Sequence, residues 1–443
     1  MTDTIKEPAR QTPIHGHYDV VILGGGPAGL IAASAAGRAG RNVLLVERYG
    51  FLGGMGTAAG VSNFCGLFGN SYGDHVRSVG GLADELLDRM KSLNGLNEPH
   101  LILGKIMAQA YDISAYKIAA DALLADHGVE VLFHAVATGI SMDIAGKIDA
   151  LFVETKSGRR AIRGRIFIDA SGDGDLAHWA GAPFEKGDGH GNALYPSSMF
   201  RLNGIDPDKA GDAWRTIPGL MEEAEASGRF SFPRKGAIVR PQKNPVEWRV
   251  NLTQLYAEDG TAIDGTDADA LTQGEIQGRK QVLNAFEFLR TVPGFENSYI
   301  VEIAPQIGIR ETRRIMGDYV LTEDDVLSCT SFEDSIGRNS WPVEAHVNGD
   351  VAWKFPDIPN VRGYNQLPYR MILPRQLDNV FVVGRCASMT HMGQSAARVT
   401  GACFAMGEAA AVAADIALRE DVAPRDVDVK QLQDMLHHHG ALI

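Results

Sequence analysis

Apolar and polar positions along the chain alternate on two periods. Residues 18–23 (YDVVIL) form a short apolar run rich in β-branched residues, which predicts a buried strand. A glycine-rich turn follows, then small residues over 30–40 in a helical pattern, then a second strand over 42–46. This is a β-turn-α-β unit of about thirty residues. Within residues 79–93, Leu82, Leu86, Leu87 and Met90 share one helical face, and residues 115–127 read as another helix ended by Gly128. From 129 to 168 the pattern becomes β, with turns at Ala145-Gly146 and Ser157-Gly158 that predict a three-stranded meander. Residues 166–170 form a third buried strand. The stretch 183–337 is less regular, with a strand-like segment over 248–255 and a helix over 274–290. A last buried strand over 380–383 leads to a long small-residue helix over 400–419.

These elements predict an α/β protein. A Rossmann-like dinucleotide-binding domain, with a parallel sheet and the meander, is built from residues 18–185 and completed by 340–443. An α+β substrate or cap domain, 186–339, is inserted in it. Residues 1–17 are polar, carry Pro8 and Pro13, lack the apolar core of a signal peptide, and read as a flexible tail.

The first turn carries Gly24-x-Gly26-x-x-Gly29, with Pro27 and Ala28 between the last two glycines. The spacing alone is weak, but here it follows a strand and opens a helix. Gly24 makes the tight turn, Gly26 lets a pyrophosphate approach the backbone, and Gly29 lets helix and strand pack closely. The helix N-terminus offers free N–H groups and partial positive charge to that pyrophosphate. Glu47 ends the second strand, placed to accept a ribose hydroxyl, with Arg48 beside it. The bland alternative is a tight turn with a surface glutamate.

Composition narrows the partners. With 443 residues, two packed domains are favoured over one. A net charge of −13 argues against nucleic acid and gives no attraction to an anionic membrane. The 50 glycines cluster, which suggests tight turns and close backbone approach to a ligand. Cys65, Cys329, Cys386 and Cys403 have no CxxC spacing, which argues against a disulfide framework or a metal site and fits a reducing cytoplasm. No apolar run approaches the ~18 residues of a membrane span. The run His437 to His439 reads as a surface helix end, and a homo-oligomer is compatible with everything above.

Several stretches together resemble one family, the FAD-dependent oxidoreductases within the glutathione-reductase-like superfamily: ERYGFLGGMGTAAGV, FIDASGDGDLAHWAGAPFE, QIGIRETRRIMGDYVLT, LPYRMILP and VFVVGRCASMTHMGQSAARVTGACFAMGEAAAVAA. The resemblance runs from about residue 18 to the C-terminus. It implies FAD, redox chemistry and a small-molecule substrate, but no particular substrate. It places the cofactor along Gly53, Gly54, Met55 and Thr57, along Ala137, Ala170, Ser171, Gly172 and Asp173, and along Gly384, Arg385, Ser395, Arg398 and Thr400. The dithiol of the disulfide reductases is absent after Gly53, and no second GxGxxG marks a nicotinamide domain. The FAD is expected to be non-covalent, with Cys65, near Gly53-Gly54, the one thiol placed to challenge that.

Five residues are candidates for chemistry. His346 (in WPVEAH) and His391 (in SMTH) have the imidazole suited to proton abstraction near neutral pH. Arg310 and Arg370 could each hold a substrate carboxylate or a structural ion pair, and Tyr369 could stack or donate. The favoured activity is dehydrogenation of a small organic substrate by hydride transfer to flavin N5, with reoxidation by O2 or another acceptor. A flavin monooxygenase using external NAD(P)H is the alternative. An electron-transfer flavoprotein subunit is a weaker one, because cluster-binding cysteine spacing is absent.

Overall fold

The computed structural model describes residues 4–347 and 349–443. Its main sheet has seven strands. The strand Ile14–Leu23 pairs in parallel with Val43–Val46 on one side and with Gly158–Asp169 on the other. Glu130–Leu132 continues the sheet in parallel beyond Val43–Val46.

The strand Gly158–Asp169 is long enough to have two neighbours in succession along its far edge. Its first half pairs antiparallel with Ile148–Thr155, which pairs antiparallel with Val136–Met142. Its last residues pair in parallel with Val380–Val382. Asn379 fills the fork, accepting from the Ile148 amide and donating to the carbonyls of Ile148 and Arg165.

The first strand begins at Ile14, four residues before the apolar run, and pairs with Ala161, Ile162 and Arg163. His15 and His17 hide this extension from a hydrophobic pattern, since main-chain pairing with the long neighbour holds it. Of the proposed tail, residues 1–3 lie outside the described residues.

The helices Pro27–Arg38 and Thr400–Glu420 pack against each other in front of the sheet. They touch through small residues: a Cβ at Gly407 would lie 2.1 Å from the Ala28 carbonyl oxygen. Thr400–Glu420 corrects one sequence expectation. It is long and apolar enough, by composition, to span a membrane, but 94% of its apolar window is buried inside the protein. It is the central core helix. Its Glu408 and Asp415 turn inward onto Arg38 and Arg41, at 2.8 and 2.6 Å.

The middle of the chain builds a second layer. Its antiparallel sheet runs in the order Ile238–Pro241, Trp248–Asn251, Phe200–Asn203, Tyr299–Ile303. Helices Ala213–Ala226 and Ala268–Leu289 belong to this layer. Phe200, Trp248, Phe288 and Phe295 belong to its own core. Ala268–Leu289 starts six residues before the expected helix because the Asp267 side chain caps the Ala270 amide. Ala213–Ala226 was not anticipated, since Pro218 and Gly219 interrupt its pattern.

Candidate active site

A cavity of about 1060 Å3 lies where the two layers meet. This is at or above the upper end of ordinary small-molecule pockets, ~300–1,000 Å3. One end is built on the glycine turn. Gly24 has φ of +101°, and a Cβ there would lie 2.4 Å from the Ala170 carbonyl oxygen, so only glycine fits. A Cβ at Gly26 would meet no protein atom closer than 3.7 Å, so the space above it is free for a ligand. Gly29 is set back from the cavity and allows close approach to the Gly24 carbonyl. Glu47 is buried and accepts from the amides of Gly25 and Tyr49, at 2.7 and 2.9 Å, which fixes its carboxylate at the cavity wall.

The remaining expected cofactor residues divide in two. Pro27, Ala28, Arg48, Gly54, Met55, Ala137, Ala170, Ser171, Gly172, Gly384, Arg385, Arg398 and Thr400 line the cavity. Gly53, Thr57, Asp173 and Ser395 do not, and each has a supporting task instead. The Gly53 amide bonds the Gly25 carbonyl. Thr57 donates to the Leu52 carbonyl at 2.6 Å. Asp173 accepts from Thr312 and Arg385, so it aims the Arg385 guanidinium. Ser395 donates to Met392 inside its own helix, His391–Ala397.

The strand Val343–Val347 places Glu344 and His346, which also line the cavity, on one face, because strand side chains repeat every second residue. Val343 and Ala345 point into the opposite, buried side. Glu344 Oε1 lies 3.2 Å from His346 Nε2, and Glu344 Oε2 accepts from the Trp341 indole at 2.8 Å. Burial and the nearby Arg310 charge hold His346 well below the ordinary imidazole value, so the ring is neutral. Burial alone would raise the Glu344 carboxyl, but His346, Arg398 and Trp341 outweigh it and keep Glu344 ionised. A neutral imidazole oriented by an ionised carboxylate is the arrangement a general base needs.

Of the five chemical candidates, only His346 and Arg310 line the cavity. Arg310 spends its terminal nitrogens on the Tyr195 carbonyl and Ser197 Oγ, so it braces the wall rather than offering a free fork. His391 faces away, its Nδ1 at 2.8 Å from the buried Glu311, which also pairs with Arg314. Tyr369 is buried and donates to the Pro424 carbonyl. Arg370 is half-exposed and ion-paired with Asp334 at 2.9 Å. The last three were selected because they neighbour family-like motifs; local sequence does not say which way a side chain turns.

Cys65 lines the cavity, with burial raising its thiol to about 12. Three arginines that sequence reasoning passed over also line it: Arg234, Arg240 and Arg249. The alternation in WRVN, with Trp248 and Val250 apolar, was the signal that put Arg249 and Asn251 on the opposite face.

A glycine turn at a helix N-terminus and a buried carboxylate–imidazole pair line one cavity. Residues 19–436 match the family described as FAD dependent oxidoreductase, and the chain belongs to that family. It is an oxidoreductase whose cofactor is FAD. No curated protein matches the sequence. Among solved structures, it is similar to a geranylgeranyl bacteriochlorophyll reductase-like protein from Thermoplasma acidophilum, with 14% identity, 95% of this chain and 83% of that chain covered, and a TM-score of 0.48. It is also similar to a flavin-dependent brominase, with 14% identity, coverage of 95% and 83%, and a TM-score of 0.46.

Proposed function

We propose that this enzyme dehydrogenates a small organic substrate, with His346 as the proton acceptor and non-covalent FAD as the hydride acceptor. The observation that carries the reading is His346, buried in the wall of the cavity that the glycine turn also lines, with Glu344 Oε1 3.2 Å from its Nε2. The glycine turn and Glu47 hold the adenosine and pyrophosphate. The helix beginning at Thr400, with Arg398 before it, supplies positive potential to the flavin pole that carries charge when reduced. FAD held by these residues would supply the two-electron acceptor for the substrate hydride, with reoxidation by O2 or another acceptor. His346 Nδ1 takes the hydroxyl or amine proton of the substrate as the adjacent C–H hydride departs. The Cys65 thiol, held protonated at neutral pH, supports a cofactor without a covalent link.

In this reading residues 18–185 and 340–443 form the FAD-binding domain, and 186–339 form the inserted cap that closes over the substrate. The test is anaerobic mixing of the yellow protein with candidate alcohols and amines. Bleaching of the flavin without NAD(P)H supports dehydrogenation. NADPH consumption that requires O2 and an aromatic substrate, with no bleaching by substrate alone, would favour a monooxygenase instead.

A further inference from the structure

The cavity-facing side of the second-layer sheet carries a like-charge pair, Arg240 and Arg249, with Arg234 nearby, itself within reach of the charges of Glu344 and Asp350. In the register of the two strands, Arg240 sits directly opposite Arg249. Their neighbours Val239 and Val250 are buried in the cap core, so the two arginines project together from the other face, into the cavity. Like charges directly opposite on a sheet repel, and cross-strand Cβ atoms stand only about 5 Å apart. Among the described residues, no carboxylate forms an ion pair with either arginine. Arg201, the next residue across the same row, takes both Glu247 and Glu302.

Arg249 spends one nitrogen on the Val61 carbonyl, and its Nε has no partner among the described residues. Arg240 lies over the Trp214 ring, 4.4 Å from its centre, and bonds only backbone carbonyls among the described residues. Two residues along the strand, Asn251 holds the Nη1 of Arg234 at 3.0 Å. Arg234 is 2% exposed, and its Nη2 also has no partner among the described residues. Burying charged donors unpaired is costly. The mutual charge of Arg240 and Arg249 also pushes Arg240 down to about 10, after burial, the larger cause. The surrounding wall is apolar and aromatic, with Tyr111, Trp214 and Trp341.

We propose that Arg240, Arg249 and Arg234 form the carboxylate site of the substrate, an organic acid with an apolar body. The proposal rests on the dehydrogenase reading above and names its substrate class. A carboxylate accepts two parallel N–H bonds from a guanidinium fork, and an anion between Arg240 and Arg249 turns their repulsion into attraction. Of the two arginines that local sequence suggested for this role, Arg310 is already committed to the wall and Arg370 to Asp334.

Benzoate, benzamide and inorganic phosphate, titrated into the purified holoenzyme by calorimetry and by thermal melting, test this. Benzoate is expected to bind saturably and raise the melting temperature, with benzamide inert and phosphate weaker. Arg240→Met and Arg249→Met are each expected to weaken benzoate at least tenfold. Arg240→Met should also raise the melting temperature of the unliganded protein, because it removes a like-charge pair. Arg240→Lys should retain part of the benzoate affinity. Equal binding of benzoate and benzamide overturns the proposal, as does unchanged benzoate affinity in both methionine variants. Phosphate binding more tightly than benzoate overturns the carboxylate assignment. A flavin-free protein whose benzoate binding vanishes in the variants would uphold this site and refute the FAD-based reading. A yellow protein indifferent to benzoate would do the reverse.

Discussion

The role proposed for His346 comes from its surroundings. A lone histidine in a sequence is most often structural. Here the period-two spacing of a strand sets Glu344 beside it, and burial keeps the ring neutral. Removing the imidazole with His346→Asn should slow anaerobic flavin reduction by ~10²–10⁴-fold while leaving FAD bound. Its pKa lies below the ordinary value, so the rate should stay level from pH 8 down through the usual imidazole range. It should fall only at more acidic pH, where the base becomes protonated. Arg370→Ala, on the surface ion pair, should leave the same rate unchanged; stopped-flow absorbance reads both. Asp169 gives a separate test of stability. It is buried beneath the Ser171 turn, and burial raises it to about 6. The folded state then binds this proton more tightly than the unfolded chain, whose value is about 3.9. Its contribution is present below pH 4 and lost as pH rises to 6, by about 3 kcal/mol for a shift of some two units. Asp169→Asn should remove that slope from urea-unfolding free energies measured at pH 4.5 and pH 7.

At the scale of elements, the site depends on how closely two helices approach. The N-terminus of Pro27–Arg38 faces the pyrophosphate position, and Gly407 of Thr400–Glu420 lets its first turn settle against the core. Gly407→Val should force the helices apart, cost about 1–3 kcal/mol in thermal or denaturant stability, and weaken FAD binding. Gly26→Glu should abolish FAD binding with far less effect on folding, since the space above Gly26 is open; a fluorescence titration of apoprotein with FAD measures both. The elements of this half were legible because each leaves a local mark: β-branched runs, a glycine turn, a small-residue helix. The cap was hardly legible. Its strands are four or five residues long, and Pro218 breaks the pattern of one helix. Site residues followed the same division. Glu47 and most of the cofactor wall were read from motifs, whereas Arg240 and Arg249 become a pair only through the register of two strands. His391, Tyr369 and Arg370 lie outside the cavity lining, because local sequence does not fix side-chain direction.

The whole molecule joins two chemistries in one cavity. The sheet and the two packed helices present neutral backbone and helix-end charge at one end. The second layer adds guanidinium groups and Trp214 to the same cavity, which His346 and Glu344 also line. Residues of both layers line the cavity, and the proposal assigns cofactor binding to one layer and substrate binding to the other. The most direct measurement is the absorption spectrum of the purified protein before and after heat denaturation, with the supernatant analysed for FAD. The account predicts a yellow protein with flavin peaks that releases close to one FAD per chain into the supernatant. A colourless protein that cannot be reconstituted with FAD, or flavin that stays with the precipitate, would contradict it.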